Sequence, residues 1–270
     1  MPVSLSAIHV YPVKGLSGIA LQEARVTERG LRHDRRFMVV DPSGEFFTQR
    51  EHPKMATVWT EIAAGELRLS APDMDEVALE AEPSDGDAMR VRVWDSTCRA
   101  IAPSKEADAW LSEYLEVQCR LVYMPDATRR TVNPQYGGHD QTVSFADGYP
   151  FLVTNEASLA DLNARLARPV PMNRFRPNLV VKGAVAFEED DWKEFRIGAA
   201  AFRMAKPCGR CQVTTTDQAT GEVSGPEPLS VLGEYRASQE FGARFGMNAV
   251  PVSGEIVRVG DAVAPIGSGT

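Results

Sequence analysis

Between Val58 and Val93 the chain is a series of short apolar runs with turn residues between them. Trp59 to Ile62, Leu67 to Ser70, Val77 to Leu79 and Met89 to Trp94 are separated by Gly65, Pro72 and Ser84-Asp85-Gly86. That rhythm is the mark of an antiparallel sheet or barrel. The start of the chain is punctuated in the same way: Val3 to Val10 alternates, Tyr11-Pro12-Val13-Lys14-Gly15 turns, and Ile19-Ala20-Leu21 resumes. Met38 to Asp41 reads as a strand, with Phe46 to Arg50 returning beside it.

Helical periodicity is scarce. Ala107, Trp110, Leu111, Tyr114 and Leu115 fall on one face of a helix that Ser104 caps, and Leu159, Leu162 and Leu166 do the same after a cap at Thr154 or Asn155. A further short helix is expected over Leu229 to Tyr235. A polar loop with Gly and Pro runs from Pro125 to Gln141, and a loop of that length marks a binding loop or a boundary. The expectation is a β-rich, mixed α/β fold in two domains, residues 1–130 and residues 131–270, each built on a β-barrel-like sheet with few helices.

With 29 basic residues against 37 acidic ones, the 270-residue chain has a formal charge of -8. That balance disfavours broad contact with nucleic acid or with an anionic membrane, so an anionic ligand has to be bound in a local basic pocket. The first residues lack a basic, apolar leader, and no window approaches a spanning helix, which leads to the expectation of a cytoplasmic protein without a membrane partner. Four cysteines, Cys98, Cys119, Cys208 and Cys211, suit a reducing compartment, where thiols are free or metal-bound.

The densest chemistry lies in Lys206-Pro207-Cys208-Gly209-Arg210-Cys211-Gln212-Val213-Thr214-Thr215-Thr216-Asp217. Three readings compete for its two thiols. Structural zinc needs four ligands, and no second pair with metal spacing accompanies this one. A thioredoxin-like pair needs a helix N-terminus, whereas the β-branched run after Cys211 predicts a strand. A single thiolate offered to a soft metal, with Arg210 and Lys206 favouring the deprotonated sulfur, fits as well, and two inert buried cysteines stand beside all three. Elsewhere, Arg32-His33-Asp34-Arg35-Arg36 and Asn173-Arg174-Phe175-Arg176-Pro177-Asn178 precede apolar strands. Each is either a set of ion pairs or a fork for phosphate or carboxylate.

Taken in order, Tyr11-Pro12-Val13-Lys14, Asp34-Arg35-Arg36-Phe37, Asn173 to Asn178, Cys208-Gly209-Arg210-Cys211 with its threonines, and Phe245-Gly246-Met247-Asn248 resemble the MOSC domain proteins. The likeness is to those that carry an N-terminal MOSC β-barrel domain, the amidoxime-reducing component group, and it covers nearly the full length.

The resemblance implies a molybdenum cofactor, a pyranopterin dithiolene with one protein cysteine as metal ligand. That ligand falls on Cys211, with Cys208 as its neighbour. Cofactor-binding residues fall on Lys14, Arg35, Arg176 and Asn178. Asp147 and Arg210 are placed with Cys211 as catalytic or pocket residues, and Asn248 closes the site. Many relatives carry a hydroxyl residue after the lysine, where this chain has Gly15, so a backbone contact has to serve there. Some bacterial relatives add a four-cysteine ferredoxin-like domain that this sequence does not include, and no iron-sulfur cluster is expected in the chain. Electrons are then expected from a separate flavin or iron-sulfur protein. The implied activity, independent of pyridoxal phosphate, is reduction of small N-hydroxylated compounds: hydroxylamines, amidoximes and N-hydroxylated bases. The alternative is a carrier of molybdenum cofactor, or of sulfur as a Cys211 persulfide, without turnover.

Overall fold

The alternating start becomes a strand, Ser4–Val10, whose Leu5, Ile8 and Val10 are buried. Each such side chain contributes roughly 1.5–3 kcal/mol by leaving water. The strand leaves its sequence neighbours and pairs antiparallel with Leu179–Lys182 on one side and Ile19–Leu21 on the other. In the computed structural model, which describes residues 2–268, this is part of a nine-stranded sheet. From one edge the order is Val263–Ser268, Trp192–Ile197, Ala200–Gly209, Gly242–Ser253, Phe151–Asn155, Leu179–Lys182, Ser4–Val10 and Ile19–Leu21, with Ala237–Ser238 on the flank of Gly242–Ser253.

Within that sheet Phe151–Asn155 and Leu179–Lys182 run parallel. Parallel neighbours need a crossover, and the helix Glu156–Asn163 lies in the connection. Asn155 rather than Thr154 is its cap, accepting from the Ala157 N–H at 3.0 Å. The helix stops at Asn163, short of Leu166, where the Asn163 side chain turns to bond both the N–H and the carbonyl of Val170.

The expected short strands form Trp59–Ala63, Glu66–Ala71 and Met74–Glu80 as one antiparallel sheet. A five-stranded sheet follows the order Asp87–Val93, Ser96–Ala102, Arg120–Tyr123, Phe37–Val40 and Val13–Lys14. Val13, Phe37, Met55, Leu67, Leu69 and Leu111 share one core between them. The helix Lys105–Leu115 packs its Ala107, Trp110, Leu111 and Leu115 on this core, capped by Ser104, which accepts from the Ala107 N–H at 3.1 Å. Among the described residues, twenty strands against four α-helices make this the β-rich, mixed α/β protein that its turn rhythm predicts.

Two local expectations change. Phe46 to Arg50 is irregular, with only a bridge from Phe46 to Val40. The loop from Pro125 to Gln141 contains a short helix, Pro134–Gly137, capped by Asn133. Near the end, Ile256–Arg258 pairs with Glu23–Thr27, while the last strand joins the far edge of the large sheet.

Candidate functional site

The strand Ala200–Gly209 pairs with Gly242–Ser253 through three irregularities in register, the last two between Met204 and Lys206 and between Pro207 and Gly209. Bulges bend a strand and re-aim its end, and here the bent end carries Cys208. Gly209 has no alternative: a Cβ there would lie 2.3 Å from the Phe241 carbonyl oxygen.

After Cys211 the chain forms a 3-10 turn, Gln212–Thr215, instead of the expected strand. The hydroxyls explain the change, because Thr214 Oγ1 donates to the Cys211 carbonyl at 2.9 Å and Thr215 Oγ1 to the Gln212 carbonyl at 2.7 Å. Threonine side chains that bond back three residues compete with an extended ladder. Buried Arg174 fixes the turn from outside, donating to the Thr215 carbonyl and to Asp217 Oδ2, both at 2.8 Å. Among the described residues no three His, Cys, Asp or Glu side chains converge to hold a metal, so a four-ligand zinc set is not present there.

Cys208 and Cys211 face one open cleft. The same cleft is lined by Lys14, Gly15, Arg35, Asp147, Arg176, Asn178, Arg210 and Asn248, so the residues that the resemblance assigns to a site lie together, whereas Lys206 and the arginines Arg32, Arg36 and Arg174 do not line it. They arrive in different states. Arg210 donates to Cys208 Sγ at 2.9 Å and to the Phe175 carbonyl at 2.8 Å, leaving its Nε buried without a partner. Asn178 is spent on the protein itself: its Oδ1 accepts from Arg35 and from the Leu152 N–H, and its Nδ2 donates to the His9 carbonyl. Asn248 makes one long bond, 3.4 Å to the Pro207 carbonyl. The Gly15 carbonyl accepts from Gln49 at 2.7 Å, and its φ of +85° is one that a residue with a side chain adopts only under strain.

The cationic end of the cleft is organised on Tyr11. Two guanidiniums lie over its ring, Arg35 and Arg176, each 4.3 Å from the centroid. Like charges repel, and an aromatic face that attracts both of them offsets part of that cost. Arg35 is neutralised by Asp34 at 2.7 Å. Arg176 has no carboxylate partner among the described residues; it donates to Gln218 Oε1 at 3.2 Å. Burial, with Arg35 adding its charge, pulls the Arg176 pKa down to about 10. Burial also pushes the Tyr11 phenol up to about 12, so it stays neutral and donates to the Pro177 carbonyl.

Lys14 is ion-paired with Asp147. Burial lowers the lysine pKa, and Asp147 works against that fall. The carboxylate experiences the mirror image: burial raises it, but the charge and hydrogen bond of Lys14, joined by Trp94 and Arg35, outweigh burial and hold it well below the usual range. Trp94 Nε1–H donates to the same oxygen, Asp147 Oδ1, at 3.0 Å, while the Asp147 side chain stays 73% open to the cleft.

Several contributors carried no readable signal. Buried Arg130 holds the segment before Asp147 by donating to the carbonyls of Ser144, Ala146 and Asp147. Gln49 and Gln218 bond to each other across the cleft floor. Arg130 was visible only as one of two loop arginines, and the glutamines not at all.

Comparison with known proteins places this geometry. The description "MOSC N-terminal beta barrel domain" matches residues 3–118, and "MOSC domain" matches residues 140–264. Among curated proteins, mitochondrial amidoxime reducing component 2 of Rattus norvegicus is 33% identical over 96% of this chain and 82% of its own length. Mitochondrial amidoxime-reducing component 1 of Mus musculus is 32% identical over 98% of this chain and 82% of its own. A crystal structure of the YUAD protein from Bacillus subtilis superposes on 97% of this chain with a TM-score of 0.42 at 8% identity, and that likeness carries no part of the assignment.

The relatives overturn the expectation of a cytoplasmic protein, because they are mitochondrial by name. Cys98, Cys119, Cys208 and Cys211 are free, which suits more than one compartment. Among the described residues no helix is long and apolar enough to cross a membrane. With both domain descriptions matched in order and about a third of residues shared with full-length relatives, the chain belongs to the MOSC domain proteins of the amidoxime-reducing component group.

Proposed function

We propose that the chain is a molybdenum-cofactor-binding oxidoreductase that reduces N-hydroxylated compounds, hydroxylamines, amidoximes and N-hydroxylated bases among them, with electrons delivered by a separate flavin or iron-sulfur protein. The observation that carries the reading is Arg176: a half-buried guanidinium with no ion-paired carboxylate among the described residues, bonded only to Gln218, in the same cleft as the Cys211 thiol. A cation built into an acidic protein without its counter-charge suits an anionic ligand, and a thiol beside it suits a soft metal. These donors fit a phosphate-bearing molybdenum dithiolene.

In this reading Lys14, Arg35 and Arg176 hold the phosphate end, and Cys211 is the metal ligand. Asn178, whose amide is taken up by Arg35 and two backbone groups, acts by fixing Arg35. Gly15 leaves room for the ligand to approach the backbone, and Asn248 borders the opposite wall. The first segment, residues 1–130, then supplies Lys14 and Arg35, and the second, residues 131–270, supplies Asp147, Arg176 and Cys211.

When bound, the cofactor supplies two-electron chemistry that removes oxygen from nitrogen. The balance is one N-hydroxy group, two electrons and two protons giving the N–H compound and water. The chain's own part is positional. Asp147, ionised throughout the neutral range, accepts from an N–H or O–H of the substrate through its cleft-facing oxygen. Arg210 holds Cys208 to one side and keeps the metal position for Cys211.

The test is metal analysis of protein made in a host that synthesises the cofactor, followed by reduction of benzamidoxime with a chemical reductant. Stoichiometric molybdenum with turnover supports the reading. Molybdenum without turnover of any N-hydroxy compound would favour the carrier.

A further inference from the structure

Trp94 is held in a conformation that tryptophan rarely adopts. It is the first of two residues closing the hairpin of Asp87–Val93 and Ser96–Ala102, where Val93 pairs with Ser96, and its φ is +53°. Two-residue hairpin turns take a positive φ at this position, and glycine or asparagine is the usual occupant. A bulky residue there is an outlier, and outliers of this kind collect at functional sites.

The strained side chain is directed to the cleft. Its Nε1–H bonds Asp147, its ring meets Phe46 edge-on with centroids 4.9 Å apart, and it remains 36% exposed. Over its face lies the guanidinium of Arg50, 4.8 Å from the centroid, with no carboxylate partner among the described residues. That guanidinium is a flat, conjugated carbon bearing nitrogens. Amidines and amidoximes have the same trigonal N–C–N frame.

We infer that Trp94 is the shelf on which a planar, conjugated N–C–N substrate stacks, that Arg50 occupies this shelf until substrate displaces it, and that Trp94 thereby selects flat N-hydroxy compounds over non-planar ones. The inference rests on the proposed reductase reading for its chemistry, and on the Trp94 geometry alone for its binding. Asp147, bonded to the indole, stands at the edge of the shelf, so a frame stacked on the ring brings its N–H groups toward a carboxylate. A non-planar N-alkylhydroxylamine gains nothing from the ring face.

The test is titration calorimetry on the intact chain with benzamidine as the planar probe and N-cyclohexylhydroxylamine as the non-planar one. Trp94→Gly removes the ring and suits the turn, so its melting temperature should hold or rise. It should weaken benzamidine by about tenfold, as expected for loss of a partly desolvated cation–π contact, and leave the hydroxylamine within about twofold. Trp94→Phe keeps a ring without the Nε1–H and should retain most of the affinity; Arg50→Ala should tighten benzamidine by a few-fold. Unchanged benzamidine binding in Trp94→Gly, or equal losses for both probes, would overturn the inference. Loss of benzamidine binding in a protein that reduces no N-hydroxy compound would sink the reductase reading and leave the shelf standing. Benzamidoxime turnover with unaltered KM in Trp94→Gly would do the reverse.

Discussion

Lys14 and Asp147, 133 residues apart in sequence, form an ion pair on the wall of the cleft, and the open carboxylate of Asp147 keeps the buried Lys14 charged where burial opposes it. In the Asp147→Asn variant, burial acts on Lys14 without its main counterweight, so the ammonium loses its proton at a lower pH than in the wild type. Pyrophosphate binding, followed by calorimetry between pH 7 and pH 10, should therefore fall earlier on the alkaline side in the variant. Coincident profiles would show that Lys14 does not depend on Asp147.

The ring of Tyr11 attracts two guanidiniums, and its phenol is a minor part of that work. Tyr11→Phe keeps the ring and loses one bond to the Pro177 carbonyl, which costs about 1 kcal/mol. Tyr11→Ala removes a ring 3% exposed and leaves Arg35 and Arg176 facing a void, a loss of about 3–5 kcal/mol on the scale of buried aromatic truncations. Urea unfolding of the two variants checks the ordering. Equal losses would mean that the hydroxyl, and not the ring, is what matters.

The two cysteines should separate cleanly. Cys211→Ala should lose molybdenum, while Cys208→Ala, which deletes only the partner of Arg210, should keep it to within about twofold, against the 10–100-fold effects typical around a metal site. Inductively coupled plasma analysis of both variants from one cofactor-competent host decides the matter. Full molybdenum in Cys211→Ala would sink the ligand assignment.

Glu189 gives the fold a pH dependence of its own. It is fully buried, with both oxygens accepting from Ser158 Oγ at 2.8 and 3.0 Å, and burial raises its pKa from 4.5 to about 7. Because the folded state holds the proton more tightly than the unfolded one, Glu189 is least costly below about pH 4.5, and stability is lost as pH rises toward about 7. A shift of that size corresponds to about 3 kcal/mol. Glu189→Gln should flatten this slope and unfold at higher urea than wild type at pH 8, with little difference at pH 4.5. Parallel curves at both pH values would remove Glu189 as the cause.

The charged and sulfur-bearing residues of the cleft were legible through the resemblance of their short motifs to a family, since local composition alone left each open between an ion pair, an inert core residue and a ligand. What those residues touch was not. Gln49 and Gln218 are 169 residues apart and Trp94 is 53 from Asp147, and no local pattern encodes pairs at that range. Asn178 was read as a ligand contact, yet its amide is occupied by Arg35 and the backbone, a use that only the third dimension displays. The threonines after Cys211 misled for a different reason: their β-branched shape favours a strand, and their hydroxyls bonded back to the chain instead. Strands and helices with strong periodicity, such as Lys105–Leu115 with its Ser104 cap, came out as the pattern required.

The position of Ser4–Val10 in the large sheet sets an order of events during synthesis. Its partner Leu179–Lys182 emerges from the ribosome long after it, so the first strand waits with one edge unsatisfied while most of the chain is made. Lys14 and Arg35 are likewise available before Arg176 and Cys211 exist. A ligand that needs all four can therefore enter only after Cys211 has been made.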